Sequence, residues 1–292
     1  MKPLHIAASL LIAATWGLNF TVIRFGLDEF TPFAFASWRF LLSALLVLVL
    51  PRPAISWKAL AGTGFFLFAG QFVFLFLAMQ SGLPPGLTSV LVQLQGPLTL
   101  VVAALSLGER ATPGQWAGLA VAMVGVVLIA HSVEGSASLI AVGLALLSAL
   151  SWAVGNLFLR ETRAASVLSV TAWASLVPPV PLLIAGLLHD GWTATMAPVL
   201  APTLRGWFVL FYTVVPVMWV GYLAWGTLLR TYPAGKVGPV SLLVPCCALV
   251  FSSYLTGETV GGWRLAGIAV VLGGVALGIF TSGRRVKLGW RK

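Results

Sequence analysis

Residues 108–125 read GERATPGQWAGLAVAMVG, and residues 257–274 read GETVGGWRLAGIAVVLGG. At an offset of 149, Gly108-Glu109 falls on Gly257-Glu258, Ala117-Gly118 on Ala266-Gly267, and Gly125 on Gly274. Upstream, Pro97 matches Pro245 within one residue. Trp16-x-x-Asn19 is echoed by Trp152-x-x-x-Asn156, each followed by an arginine, Arg24 or Arg160. The chain therefore reads as two copies of one unit, residues 1–133 and 134–292.

Both copies are almost wholly apolar. Of 292 residues, 59% are hydrophobic and 8% charged, and the mean hydropathy is +1.01. A soluble domain carries about 25% charged residues, so a water-soluble enzyme is excluded. Disorder is excluded too, because it needs low hydrophobicity and much charge. The net charge of +10 does not point to nucleic acid: apart from a C-terminal cluster, the basic residues stand singly between apolar runs. Two adjacent cysteines, Cys246 and Cys247, and three histidines, His5, His131 and His189, make neither a disulfide framework nor a metal motif. No metal and no cofactor is expected.

A helix needs roughly 20 apolar residues to cross a bilayer. The sequence offers ten such runs, near 4–24, 31–51, 58–80, 84–107, 112–132, 138–159, 166–188, 206–229, 235–256 and 260–281. The expected fold is thus an all-α polytopic membrane protein. Its first run is too long for a signal peptide and is followed by Arg24, not by a small-residue cleavage site.

Lys and Arg fix the orientation. Thirteen lie on one side: Lys2, Arg52, Lys58, Arg110, Arg160, Arg163, Arg230, Lys236, Arg284, Arg285, Lys287, Arg291 and Lys292. Three lie on the other, Arg24, Arg205 and Arg264, and Arg39 falls within the second span. Both termini are expected in the cytoplasm. Trp57, Trp116, Trp192, Trp207 and Trp263 fall near span ends, where interfacial anchors belong. Five spans per copy is an odd number, so the second copy must enter from the opposite face. That predicts two five-helix inverted-topology repeats, an arrangement that places a substrate site near the midplane between the halves.

The pattern Pro97…Leu107-Gly108-Glu109-Arg110…Gln115-Trp116-Ala117-Gly118…Gly125 resembles the end of an EamA repeat. Trp16-Gly17-Leu18-Asn19-Phe20 and Trp38-Arg39-Phe40 resemble the first and second spans of the same family. The resemblance covers essentially the whole chain and implies the drug/metabolite transporter superfamily, nearest the YddG-like amino-acid exporters. The second copy departs from the pattern at Thr259, where the basic residue is missing.

Polar side chains are costly in hydrocarbon unless they face protein or water. Trp16, Asn19 and Phe20 share one face of the first span, and Ser148, Trp152 and Asn156 one face of the sixth. These stripes occupy equivalent positions in the repeat and can face each other across the central axis. Gln71 lies in the third span with Phe68 and Phe72, Gln93 in the fourth with Pro97, and Tyr212, Trp219 and Tyr222 in the eighth. Read as function, these line a cavity of rings, amides and hydroxyls. Read as structure, the amides make interhelical hydrogen bonds.

Arg39 either snorkels outward or pairs with Asp28 or Glu29, and anchoring is the favoured reading over binding a substrate carboxylate. Prolines recur inside the spans: Pro97, Pro178, Pro179, Pro181, Pro216, Pro239 and Pro245. The repeat-related Pro97 and Pro245 are the expected hinges. Gly118, Gly125, Gly267, Gly273 and Gly274 are expected to permit close helix packing.

All seven acidic residues, Asp28, Glu29, Glu109, Glu134, Glu161, Asp190 and Glu258, fall in loops or at span ends. No proton relay is therefore expected. The sequence-based expectation is a monomeric exporter in a bacterial inner membrane, carrying amino acids, including aromatic ones, or small metabolites downhill. A carrier of the same fold for another metabolite, lipid or drug is the alternative. A membrane-embedded enzyme lacks its acid, base and nucleophile, and a channel is disfavoured by the inverted repeat.

Overall fold

The computed structural model describes residues 2–109, 111–132, 136–160, 166–232 and 237–282. Arg110, Arg163, Lys236, Glu134, Glu161, the expected boundary at 133–134 and the basic C-terminal cluster lie outside these residues.

Every regular element among the described residues is helical. Among the described residues, eight helices are long and apolar enough to cross a membrane. They are α1 (Pro3–Gly26), α3 (Trp57–Gln80), α4 (Pro85–Leu107), α5 (Pro113–Ser132), α6 (Ser136–Leu159), α7 (Val167–His189), α9 (Leu204–Thr231) and α11 (Gly262–Ser282). Two shorter apolar helices, α2 (Pro32–Leu48) and α10 (Val240–Thr256), occupy the second and ninth expected runs. Each tightens into a 3₁₀ stretch, at Ala44–Leu48 in α2 and at Gly238–Leu242 where α10 begins. The sequence reading treats 189–205 as a loop, whereas the structure places a further helix there, α8 (Gly191–Leu200).

Local chemistry sets the ends and the breaks. Thr31, Ser56 and Thr203 accept backbone N–H bonds at the starts of α2, α3 and α9. Gly108 and Gly257, the paired glycines of the repeat, close α4 and α10 in the left-handed conformation, at φ 66° and 70°. α7 breaks across 175–178, ahead of Pro179 and Pro181. α4 breaks at Gln93–Leu94, because Pro97 cannot donate to the Gln93 carbonyl four residues back.

Two π-helical stretches also repeat, Thr63–Gly70 in α3 and Thr213–Gly221 in α9. Pro216 lies inside the second, and the wide turn accommodates its missing N–H. The first holds no proline. There Ser151 Oγ on α6 donates to the Phe66 carbonyl at 2.7 Å, while Ser148 Oγ donates to the Gln71 carbonyl at 2.9 Å.

The packing is reciprocal. α1 packs on α9 and α10, and α6 packs on α3 and α4, so the first helix of each copy rests on the third and fourth of the other. α2 packs on α7, and α5 on α11. In the α5–α11 contact a Cβ on Gly118, Gly125, Gly267 or Gly274 would meet the opposite helix at 2.4–2.7 Å. Gly273 differs from expectation: it is exposed and its Cβ would meet nothing, since it lies a third of a turn away from Gly274. Gly17 does the same service between α1 and α10, where its Cβ would lie 2.5 Å from Cys247 Cβ and 2.9 Å from the Ala248 nitrogen.

The ends are tied by polar contacts. Asp28 holds Arg24 at 2.5 Å and Arg205 at 2.9 Å, and Glu29 accepts from Thr203 Oγ1 at 2.6 Å, joining the α1–α2 turn to the start of α9. Glu109 pairs with Arg160 at 2.6 Å, joining the ends of α4 and α6. Its repeat partner, Glu258, is buried and acts differently. It accepts from the Gly86 and Leu87 nitrogens at 2.8 and 3.1 Å, and also from Ser252 Oγ. It thus caps the N-terminus of α4 from another part of the chain. The five tryptophans expected near span ends, Trp57, Trp116, Trp192, Trp207 and Trp263, are all exposed.

Candidate substrate site

Nine of the ten expected cavity residues fall into three groups, and Trp219 stands apart against α2. The first joins α1 to α9. Trp16 Nε1 donates to the Val217 carbonyl at 3.3 Å, inside the π-helical stretch, and its ring lies 5.7 Å from Tyr222 and 5.4 Å from Trp225. Tyr212 Oη donates to the Thr15 carbonyl at 3.0 Å. Phe20 is buried in the adjoining aromatic core, and Asn19 is buried with Oδ1 unpartnered.

The second group joins α6 to α3 and α4. Asn156 Nδ2 donates to Gln95 Oε1 at 2.9 Å and Thr99 Oγ1 at 3.0 Å. Trp152 is half-buried against the aromatic core, and Gln71 is buried in α3, its carbonyl accepting from Ser148 Oγ on α6. The two expected stripes therefore engage different neighbours: Trp16 turns to α9 and Asn156 to α4. The reason is steric. Gly17 on α1 and Gly155 on α6 lack a Cβ, so α10 and α3 approach those faces closely.

The third group is the crossing of α4 and α10. Gln93 Nε2 donates to the Ser241 carbonyl at 2.7 Å. Ser241 stands four residues before Pro245, and Gln93 four residues before Pro97. Each is the residue whose carbonyl a following proline deprives of its helical donor. One side chain thus spans both breaks, and both prolines are buried beside it.

Arg39 follows neither expected course. It is fully buried, and its Nε, Nη1 and Nη2 have no hydrogen-bond partner. Asp28 and Glu29 are committed to Arg24, Arg205 and Thr203 at the helix ends. The guanidinium instead lies 4.0 Å from the Phe72 ring centroid and 5.7 Å from that of Phe40, with Tyr222 within electrostatic reach. One turn further along α2, the Ser43 carbonyl accepts from Trp219 Nε1 at 3.2 Å, which holds α9 over this region. Gln95, Thr99 and Ser241 were missed from sequence. Gln95, two residues before Pro97, carried the only local signal: a polar amide at a helix break.

A separate cleft of 470 Å³ opens between helix ends. It is lined by Arg24, Leu27, Asp28, Met79, Gln80, Gly82, Leu83, Pro84, Pro85, Thr256 and Glu258. Among the described residues no group of three His, Cys, Asp or Glu is placed to hold a metal.

Apolar helices of spanning length around a buried layer of rings, amides and one cation define a multi-pass membrane protein. Two stretches, 4–131 and 139–280, match the model of the EamA-like transporter family. The chain belongs to that family. It is 36% identical over 279 residues to a probable amino-acid metabolite efflux pump of Salmonella typhimurium, spanning 93% of both chains. It is 35% identical to a protein of the same description from Escherichia coli, spanning 97% of this chain and 95% of that one. An uncharacterized transporter of Bacillus subtilis, YvbV, is 31% identical over 95% of this chain and 93% of its own. A crystal structure 18% identical in sequence superposes with a TM-score of 0.58 over 96% of this chain and 99% of the other, so the fold is shared.

Proposed function

We propose that the protein exports amino acids or related small metabolites across the bacterial inner membrane by alternating access. The observation that carries this is the pair of relatives described as amino-acid metabolite efflux pumps, matched along nearly their whole length. In this reading ten helices span the membrane as two inverted halves, 1–133 and 134–292, with both termini cytoplasmic. The reciprocal packing of α1 on α9 and α10, and of α6 on α3 and α4, supports it. The Lys and Arg bias supports the orientation.

Trp16, Asn19, Phe20, Gln71, Gln93, Trp152, Asn156, Tyr212, Trp219 and Tyr222 line the path. Rings dominate, which suits aromatic amino acids among the cargo. The transporter works as a monomer, and flux runs downhill without a proton relay. The test is substrate counterflow in proteoliposomes with a panel of radiolabelled amino acids and no ion gradient. Wild type is expected to exchange at least one of them, and Trp16→Ala and Trp152→Ala to lower that flux about tenfold, the loss of one buried ring contact. Flux unchanged in both variants removes these residues from the path, and strict dependence on a proton gradient removes the downhill mechanism.

α4 and α10 bend at their breaks as the site changes sides, with Pro97 and Pro245 as hinges. Pro97→Ala and Pro245→Ala restore a backbone donor and favour straight helices. Each is expected to slow counterflow several-fold at saturating substrate while leaving the half-saturating concentration in place. An unaltered maximal rate rejects the hinge assignment.

A further inference from the structure

The exporter reading leaves one group without a role. Arg39 carries a full charge, is 0% exposed, and has no hydrogen-bond partner on any guanidinium nitrogen. A buried cation is tolerated when it is paired, and leaving it unpaired is among the costliest arrangements a fold can hold. The described acidic residues are all spoken for elsewhere. Asp28 and Glu29 hold Arg24, Arg205 and Thr203; Glu109 holds Arg160; Asp190 meets His189; and Glu258 caps α4.

The surroundings select the missing partner. Phe72 at 4.0 Å covers a face of the planar guanidinium, and Phe40 meets Phe72 edge to face at a ring distance of 5.4 Å. Ring contact satisfies a face of the cation and leaves its N–H edges unused. Those edges form a fork that matches two oxygens of one planar anion. Tyr222 lies within electrostatic reach, and its ring continues through Trp16 to Trp225. An anion at this edge with an apolar side chain would lie along that row of rings.

We propose that Arg39 is the carboxylate-recognition residue of the transport site, taking the α-carboxylate of an amino acid, or another monocarboxylate, on its unpaired N–H edge beside Phe72. This rests on the exporter reading for its cargo. α9, held on α2 by Trp219 and Ser43, covers the site, so the anion enters when α9 moves away.

The test uses the full-length purified protein as wild type, Arg39→Gln and Arg39→Lys. The melting temperature is measured with phenylpropionate, with its amide, and with sodium chloride as probes. The carboxylate is expected to raise the wild-type melting temperature by several degrees, and the amide and chloride are not. In Arg39→Gln the shift is lost, or its half-saturating concentration rises by about 30-fold or more. Arg39→Lys keeps part of it, because it retains the charge without the fork. Should Arg39→Gln fail to fold, the comparison of acid with amide in wild type and in Arg39→Lys carries the same decision. Equal shifts from acid and amide, or from acid and chloride, overturn the proposal, as does no wild-type shift or an undiminished one in Arg39→Gln.

Counterflow of L-phenylalanine against its amide separates the two readings. A carboxylate shift with no flux of any amino acid leaves Arg39 assigned and overturns the exporter. Flux of acid and amide alike, with no shift, keeps the exporter and removes Arg39 from recognition.

Discussion

Gly274→Leu is expected to yield no folded protein in a membrane extract, whereas Gly273→Leu, one residue earlier, is expected to fold like wild type. A Cβ on Gly274 would lie 2.4 Å from the Ala122 nitrogen and 2.6 Å from the Gly118 carbonyl oxygen. Both are backbone atoms of α5, which cannot rotate aside as a side chain would. The two helices would have to separate along the whole crossing, which Gly118, Gly125 and Gly267 also line. In lipid no hydrophobic force re-closes such a gap, because association rests on close van der Waals contact. Ordinary overpacking costs about 1–3 kcal/mol. A clash with backbone atoms on both sides of a glycine-lined crossing exceeds that and consumes much of the ~5–15 kcal/mol that holds a typical fold. Fluorescence-detected size exclusion of both variants checks the contrast. A monodisperse Gly274→Leu peak at wild-type level would show that α5 and α11 do not meet this closely.

Glu258→Ala carries the second largest expected effect. The carboxylate is 8% exposed and serves the Gly86 and Leu87 nitrogens and Ser252 Oγ together. Removing it orphans two N–H groups at the start of α4, while Ser252 Oγ keeps Thr256 Oγ1 at 3.2 Å. Hydrogen bonds to a charged group contribute about 1.5–3 kcal/mol each, and buried orphans add their own desolvation cost. A loss of roughly 3–5 kcal/mol is expected, read as a large drop in melting temperature. Glu258→Gln keeps one oxygen and should lose about half as much. Asp28→Ala is the internal control. Its ion pairs are exposed, and exposed pairs contribute about 0–1 kcal/mol. Equal melting temperatures for Glu258→Ala and Asp28→Ala would refute the trans-capping role.

The sequence was legible wherever a property adds up along the chain. Long apolar runs gave the helices of spanning length, and the paired Gly108 and Gly257 marked two helix ends. Properties that depend on angle or on distant partners were not legible. Small residues at 273 and 274 look alike in sequence, yet only one faces α5. The π-helical stretches at 63–70 and 213–221 have the same apolar texture as an α-helix. The hydroxyl that the Phe66 carbonyl inside the first stretch accepts from, Ser151 on α6, lies 85 residues downstream. α8 went unseen because Gly191–Leu200, with Pro198 inside, is too short and mixed to announce a helix. Asn156 was recognisable as polar within a span, but its partners Gln95 and Thr99 lie on another helix. Arg39 was visible as a charge in an apolar run. Its expected ion pair failed because the acids nearest in sequence already serve helix ends.

The reciprocal packing also sets a timetable for synthesis. When the ribosome has delivered α1 to α5, most of what α1 will rest on is still missing, because α9 and α10 are made late in the second half. α5 likewise waits for α11. Only when α6 appears can the first half's α3 and α4 be covered. The nascent chain must therefore hold half-finished helices in the bilayer until translation is nearly complete. For that interval its safety depends on lipid, or on the insertion machinery, to shield the glycine-lined faces. The chain gains an interlocked pair of halves by deferring the contacts of α1 with α9 and α10, and of α5 with α11, to the last third of its length.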